Sequence, residues 1–397
     1  MNTLIVVVLI LTSLTIVADV LLLFFWAFNF RAYSSKASES KVLHYELQAI
    51  PKPLLEEVPP VAVLLAVRNE EVLLSSCLEH LLASDYPSFS IWIGNDASED
   101  NTLEVAKDFS KKDPRVKVIN ITKKVGQAKA KANVIAQLVA AANSSEEAPD
   151  LLLVTDADVQ VQPYWMRGMV QSWQAKPKTK EIGVVTGITL VDGKSSWGEL
   201  QRIDWLFALG MVKVASDWGM PIATMGNNMM MYRPAYYASG GYEKLPFSIT
   251  EDFQILHEIT GKGFSFRNVV DSKVIAFTQP MRSWQELLQQ RRRWMHGAIR
   301  LPLSIVSILF LQALFFPLIL FLLFTHPLLG VGMWLSKVAL QSIFIMQVER
   351  KLKLSKKFRS RLARYLFLYE LYAGILTILT IVIYLLPLKT SWKGRQY

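Results

Sequence analysis

Apolar residues fall in two textures along the chain. Near the ends they run almost unbroken: residues 4–28 carry one charge, Asp19, and 301–324, 328–346 and 365–387 are similarly apolar. A helix crosses a bilayer with about 20 such residues, so each run is long enough to span. Between 52 and 290 the apolar runs are short and separated by polar stretches. Val61–Val67, Phe89–Gly94, Val116–Ile119 and Leu151–Thr155 read as buried strands. Helical patterns lie between them: one up to Ala83, one with Ser98 and Asp100 as caps, and one over Gln127–Asn143. Strand alternating with helix at this spacing predicts an α/β domain with a mostly parallel, doubly wound sheet. Right-handed crossovers then bring Asn69, Asp96 and Asp156 to one rim. Beyond Asp158 the pattern is mixed. Ile182–Leu190 alternates weakly, 197–216 is amphipathic with Trp197, Trp205 and Phe207, and Thr250-Glu251-Asp252 opens a helix.

This texture divides the chain into an N-terminal anchor (1–30), a proline-containing linker (31–60), an α/β domain (61–300) and a C-terminal membrane region (301–397). The domain ends in a basic interfacial helix. The membrane region has three apolar segments and a basic loop, 349–364. The first run lacks a basic leader and exceeds the apolar core of a cleaved signal, so it reads as an anchor.

Charge adds an orientation. The chain carries a net charge of +10, and its cations cluster beside the apolar runs. Arg31, Lys36 and Lys41 follow the first; Arg350, Lys351, Lys353, Lys356, Lys357, Arg359, Arg361 and Arg364 precede the last. Positive flanks face the cytoplasm, which makes the middle domain cytoplasmic, on the inner membrane of a bacterium. Cations beside spans meet anionic headgroups rather than nucleic acid. Three spans after the domain would put the basic tail, Lys389, Lys393 and Arg395, outside, against the same rule. Either the rule fails at this tail, or one segment is re-entrant or interfacial. Glu370 demands a protein-lined environment within its span. The lone Cys77, among leucines, is expected in the core and excludes an intrachain disulfide.

The chemistry concentrates at Asp156-Ala157-Asp158, just past the strand Leu151–Thr155. Ligands gather at the carboxyl ends of such strands. Two carboxylates at i and i+2 there can hold one hard divalent cation, magnesium or manganese, against a diphosphate. Bland readings exist for each neighbouring motif: a turn at Asp96, a helix start at Glu251-Asp252, a membrane-surface anchor at Arg291–Arg293.

Four signals nevertheless occur in order beside membrane segments: Asn95-Asp96, Asp156-Ala157-Asp158, Thr250-Glu251-Asp252 and Gln290-x-x-Arg293-Trp294. With them, residues from about 61 to 300 resemble the membrane-bound family 2 glycosyltransferases, inverting enzymes of GT-A fold. The C-terminal Trp392–Tyr397 is similar to the tail of ceramide glucosyltransferases, and the layout also resembles processive polysaccharide synthases. The resemblance implies a nucleotide-diphosphate-sugar donor, uridine by preference, and a membrane lipid or lipid-linked acceptor. It implies that Asp96 holds the base, with Asn69 and Glu70 bordering base and ribose. Lys129 falls where a basic residue often lies near the nucleotide, with Ala128 in place of the usual glycine. Asp158 would bind the metal, and Asp156 the ribose or the metal. Asp252 would be the general base. Gln290, Arg293 and Trp294 would line the acceptor site and help hold the diphosphate. The alternatives are a processive synthase and a non-catalytic membrane scaffold; intact Asp156, Asp158, Asp252 and Arg293 argue against the latter.

Overall fold

The computed structural model describes residues 3–30, 55–175, 180–387, 391–392 and 395–396. Most of the linker, with Arg31, Lys36 and Lys41, lies outside them, as do Lys389 and Lys393. The chain begins with α1 (Thr3–Phe30). The domain opens with β1 (Val61–Val67), α2 (Leu74–Leu82), β2 (Phe89–Asn95), α3 (Thr102–Lys112), β3 (Val116–Asn120), α4 (Ala130–Asn143) and β4 (Leu151–Thr155). It continues with β5 (Gln160–Val161), α5 (Trp165–Gln174), β6 (Ile182–Thr186), β7 (Ile188–Val191), α6 (Ser196–Asp217) and β8 (Asn228–Tyr232). Then follow α7 (Arg233–Ala238), α8 (Gly241–Lys244), α9 (Glu251–Gly261), β9 (Ser265–Asn268), β10 (Ile275–Thr278) and α10 (Trp284–Ala298). Three long helices come last: α11 (Leu303–Thr325), α12 (Pro327–Leu352) and α13 (Lys356–Leu385).

Seven strands form the main sheet, in the order β3-β2-β1-β4-β8-β6-β9. β1 pairs in parallel with β2 and β4, and β2 with β3; β8 alone runs antiparallel to both its neighbours, β4 and β6. The weak alternation over 182–190 resolves into two strands. The chain turns at Gly187, and β7 joins a second sheet, β5-β10-β7. β1 shows why an unbroken apolar run makes a central strand. Val61, Val63, Leu65 and Val67 pack into one core with α2 and α5, while Ala62 and Leu64 pack into another with α4. Both faces are covered, as parallel sheets require. Each such Val or Leu contributes about 1.5–3 kcal/mol on burial.

Among the described residues, four helices are long and apolar enough to cross a membrane: Thr3–Phe28 within α1, and α11, α12 and α13. The basic loop expected over 349–364 is not a loop. α12 continues to Leu352 and α13 starts at Lys356, with Ser355 accepting a hydrogen bond from the Phe358 N–H at 3.2 Å. Lysine and arginine are good helix formers, and Arg350 and Lys351 in the last turn of α12 suit its carboxyl-terminal dipole.

Inside the helix bundle lies a polar network. Lys337 of α12 is 1% exposed and ion-pairs at 3.0 Å with Asp19 of α1, itself 3% exposed. Its ammonium also donates to Gln312 Oε1 of α11 at 2.7 Å. The Gln341 amide, oriented to satisfy both neighbours, accepts from Lys337 at 3.0 Å and donates to Glu370 of α13 at 2.9 Å. Glu370 therefore has the protein-lined environment that its place in an apolar segment demands.

The domain and the long apolar helices share one core. Ile203, Leu206 and Val214 of α6 cluster with Trp26 of α1, Phe344 and Val348 of α12, and Tyr369 and Tyr372 of α13. Gly210 permits the close approach: a Cβ there would come within 2.7 Å of Val348 Cγ2. The far end of α13 meets α10, where the Arg292 guanidinium donates to the Leu386 carbonyl at 3.3 Å.

Candidate active site

The rim of the parallel half-sheet is built by two laced loops. Asn69, after β1, adopts φ 53°, a left-handed conformation that asparagine tolerates. Its N–H donates to Ser98 Oγ at 3.1 Å, and its Oδ1 accepts from the Glu99 N–H at 2.9 Å. The Glu70 N–H donates to Thr102 Oγ1 at 2.7 Å. Asp96 sits between: its N–H donates to the Val67 carbonyl at 2.9 Å, and its carbonyl accepts from Arg68 at 2.9 Å. These bonds leave Asn69, Glu70 and Asp96 on one half-exposed edge, where Asp96 follows a buried strand end.

Beside this edge, carboxylates from two segments and a backbone carbonyl from a third converge on a lysine. Lys131 Nζ, on the first turn of α4, lies 2.5 Å from Asp156 Oδ1 and 3.9 Å from Glu251 Oε1, and donates to the Gly226 carbonyl at 3.0 Å. The Gly226 N–H donates to Asp252 Oδ2 at 2.9 Å, so one residue ties Lys131 to Asp252. Glycine is required there, since a Cβ would lie 2.8 Å from the same Asp252 oxygen. Asp252 Oδ1 accepts from the Phe253 N–H at 2.8 Å, which holds the carboxylate at the start of α9. Asp158 closes the turn after β4, and its Oδ2 accepts from Thr278 Oγ1 at 3.0 Å.

Lys131 is the residue that sequence reasoning missed. Lys129, chosen instead, places its ammonium 5.4 Å from the Phe247 ring. The two lie two positions apart across the start of α4, where Lys129 is still extended (φ −138°, ψ 158°), and so they face different ways. Only knowledge of where the helix begins separates them.

Crowded carboxylates set the electrostatics. Burial, then the charge of Asp252, push the Glu251 carboxyl up to about 7, while Lys131 and Arg293 pull it down. Arg293, on α10, is thus close enough to the acidic cluster to act on Glu251 by charge. The start of α10 is fixed by a reciprocal bracket: Ser283 Oγ accepts from the Glu286 N–H at 3.2 Å, and Glu286 Oε2 accepts from the Arg282 N–H at 2.8 Å. Gln290 is buried on the same helix, and its Oε1 has no hydrogen-bond donor among the described residues. Trp294 is turned toward α6, against Trp205. Burial, then Asp158, Asp156 and Glu70, push the Cys77 thiol up, a sign of the negative potential beneath the turn.

The raised Glu251 carboxyl has a consequence for stability. The folded protein holds this proton more tightly than the unfolded chain, whose glutamate titrates near 4.5. The contribution is full below about 4.5 and is lost as pH rises toward about 7. Thermal unfolding midpoints of the parent protein are expected to fall over that window more steeply than those of Glu251→Gln. Parallel curves would show that Glu251 titrates alike in both states.

The donor set suits a hard divalent cation. Asp156 and Asp158 offer carboxylate oxygens from one turn, and among the described residues no three His, Cys, Asp or Glu side chains form a cage. Magnesium and manganese commonly take one or two carboxylates and fill the remaining positions with phosphate and water.

Comparisons with known proteins identify the family and the fold. The family profile described as glycosyl transferase family 21 matches residues 22–397. A poly-beta-1,6-N-acetyl-D-glucosamine synthase from Staphylococcus epidermidis is 26% identical over 243 residues, 61% of this chain and 55% of the synthase. The chain thus matches about half the length of that relative. The probable glycosyltransferase YdaM of Bacillus subtilis is 26% identical over 330 residues, 80% of this chain and 74% of that protein. A mannosyltransferase from Pyrobaculum calidifontis, solved with GDP-Man and Mn2+, has a TM-score of 0.57 at 16% identity. That match covers 96% of this chain and 98% of the mannosyltransferase. The GT-A-type architecture expected from the sequence is the fold found.

Proposed function

The chain belongs to glycosyl transferase family 21, and on that premise we propose that it moves a sugar from a nucleotide-diphosphate sugar to a membrane-embedded lipid acceptor, with inversion. The observation that carries this reading is the convergence of Asp156, Lys131, Glu251, Asp252 and Arg293 on a domain that shares a core with membrane helices. In this reading Asn69, Glu70 and Asp96 bound the nucleotide, and the donor diphosphate lies toward Asp158, Lys131 and Arg293. The acceptor enters along α10, past Gln290 and Trp294. Its hydroxyl oxygen attacks the anomeric carbon, and its proton passes to the Asp252 carboxylate as the bond forms. The bond from the anomeric carbon to the diphosphate breaks, and its electron pair leaves on the diphosphate oxygen. Arg293 and Lys131 are fixed cations where that charge develops, and the planar fork of Arg293 suits phosphate oxygens. Attack on one face by one base inverts the centre, an argument by analogy with glycoside hydrolysis.

Asp158, with Asp156, would hold a magnesium or manganese ion, which supplies Lewis-acid stabilisation of the diphosphate when bound. The Mn2+ and GDP-Man in the Pyrobaculum mannosyltransferase support a metal and a nucleotide-sugar donor. The uridine preference rests on the sequence resemblance. Basic residues at the ends of the spans support a cytoplasmic domain. Asp158→Asn is expected to lose nearly all turnover and to weaken nucleotide binding; a chelator should silence the parent protein, and added manganese restore it. Full activity of Asp158→Asn in chelator would remove the metal from this account.

The similarity to the staphylococcal synthase favours a second reading, processive polymerisation. Product length separates the two: single-sugar glycolipids support transfer to lipid, and a ladder of oligosaccharides supports synthesis of a polymer.

A further inference from the structure

Trp294 is gripped by two consecutive residues of α6. Trp205 meets its indole edge to face, with centroids 5.5 Å apart and planes at 64°. Asp204 reaches it through Arg291. The Asp204 carboxylate pairs with the Arg291 guanidinium, whose central carbon lies 4.4 Å from the centroid of the Trp294 ring. Tyr369 of α13 donates to Asp204 Oδ1 at 3.4 Å. Burial pushes the Asp204 carboxyl up, while Arg291 and Tyr369 pull it down. Residues two apart on a helix point about 200° apart. Arg293, which acts on Glu251 by charge, thus points away from Arg291, which faces α6.

We propose that Asp204 and Arg291 are positioning residues for the acceptor. They set the plane of the Trp294 indole, and through it the fit of a hydroxyl-bearing membrane lipid, without touching the donor. The inference rests on the reading of Trp294 as an acceptor-site residue. A guanidinium suits the task because it stacks flat on an indole while its edge pairs with a carboxylate, whereas an ammonium brings charge without a plane. Tyr369 adds a consequence: the acceptor site is fastened to α13, one residue from Glu370 in the intramembrane network.

A purely mechanical role, fastening α10 to α6, predicts lower stability and nothing else. The test uses the full-length protein in phosphatidylcholine vesicles containing graded mole fractions of ceramide or diacylglycerol. The donor is whichever of UDP-glucose, UDP-N-acetylglucosamine and GDP-mannose the parent protein turns over. Asp204→Asn and Arg291→Lys are each expected to raise the acceptor KM about tenfold, the scale of a lost cation–π contact at a desolvated ring, with donor Kd unchanged. Arg291→Lys keeps the charge pair, so it remains informative if Asp204→Asn folds poorly. Adding Asp204→Asn to Trp294→Ala should raise the acceptor KM no further, because both act through one indole. An unchanged acceptor KM in folded Arg291→Lys, or additive effects in the double variant, overturns the proposal. A parent protein that turns over donor but glycosylates neither lipid overturns the acceptor reading itself, which is a distinguishable failure.

Discussion

Asp252→Asn is expected to bind donor nearly as tightly as the parent protein and to transfer sugar roughly 10²-fold more slowly or worse, the scale of a lost general base. The structure makes this substitution informative. Both Asp252 oxygens accept backbone N–H groups, from Gly226 and Phe253, so the carboxylate is held in one orientation. An amide keeps one of those bonds and loses the other, and it cannot take a proton from an attacking hydroxyl. Glu251→Gln is the partner experiment, because Glu251 shares the cluster with Lys131 and Asp252. It should impair the enzyme less. If Glu251→Gln proves the silent variant and Asp252→Asn retains its rate, the base is Glu251. Should donor affinity collapse in Asp252→Asn while each bound donor turns over normally, Asp252 is a binding residue. Equilibrium binding of labelled nucleotide beside single-turnover transfer separates these outcomes.

The largest effect on stability is expected far from that cluster, at Lys337→Met. This substitution leaves Asp19 without its ion pair, and Gln312 and Gln341 without their shared donor. Removing one partner of a buried pair costs about 3–5 kcal/mol, because an uncompensated charge stays behind. Adding Asp19→Asn should recover much of the loss, since the stranded charge then goes too. Thermal unfolding in detergent, followed by fluorescence-detected size exclusion, reads both variants. A Lys337→Met protein as stable as its parent would show that the network contributes little to holding α1 against α11 and α12.

Much of the fold was legible because its signals are local. The runs 61–67 and 151–155 are strands, and they bring Asn69 and Asp156 to one rim as expected. Neither β8 nor its antiparallel direction was legible: the pattern beyond Asp158 is mixed, and the adjacent Met229, Met230 and Met231 signal burial without an element or a direction. The joint between α12 and α13 was hidden because a cluster of cations reads equally well as a loop or as two helix ends. Lys131 was hidden for a subtler reason. Its inward direction depends on α4 beginning at Ala130 rather than near Gln127, and boundaries are where sequence patterns are weakest. The partners Asp204 and Arg291, and Asp19 and Lys337, are matched by tertiary packing alone; no periodicity links positions so distant.

The separation of Asp19 from Lys337 also places the protein in time. The two lie 318 residues apart in the chain. At about 5–20 residues per second, the lysine is synthesised roughly 15–60 s after the aspartate. Throughout that interval α1 exists without the lysine that pairs with its carboxylate in the finished fold. Completion of the bundle is a late event of biogenesis, set by translation rather than by helix formation. Slowing the ribosome between α1 and α12 lengthens the time for which Asp19 lacks its partner, and with it the life of a half-built helix bundle.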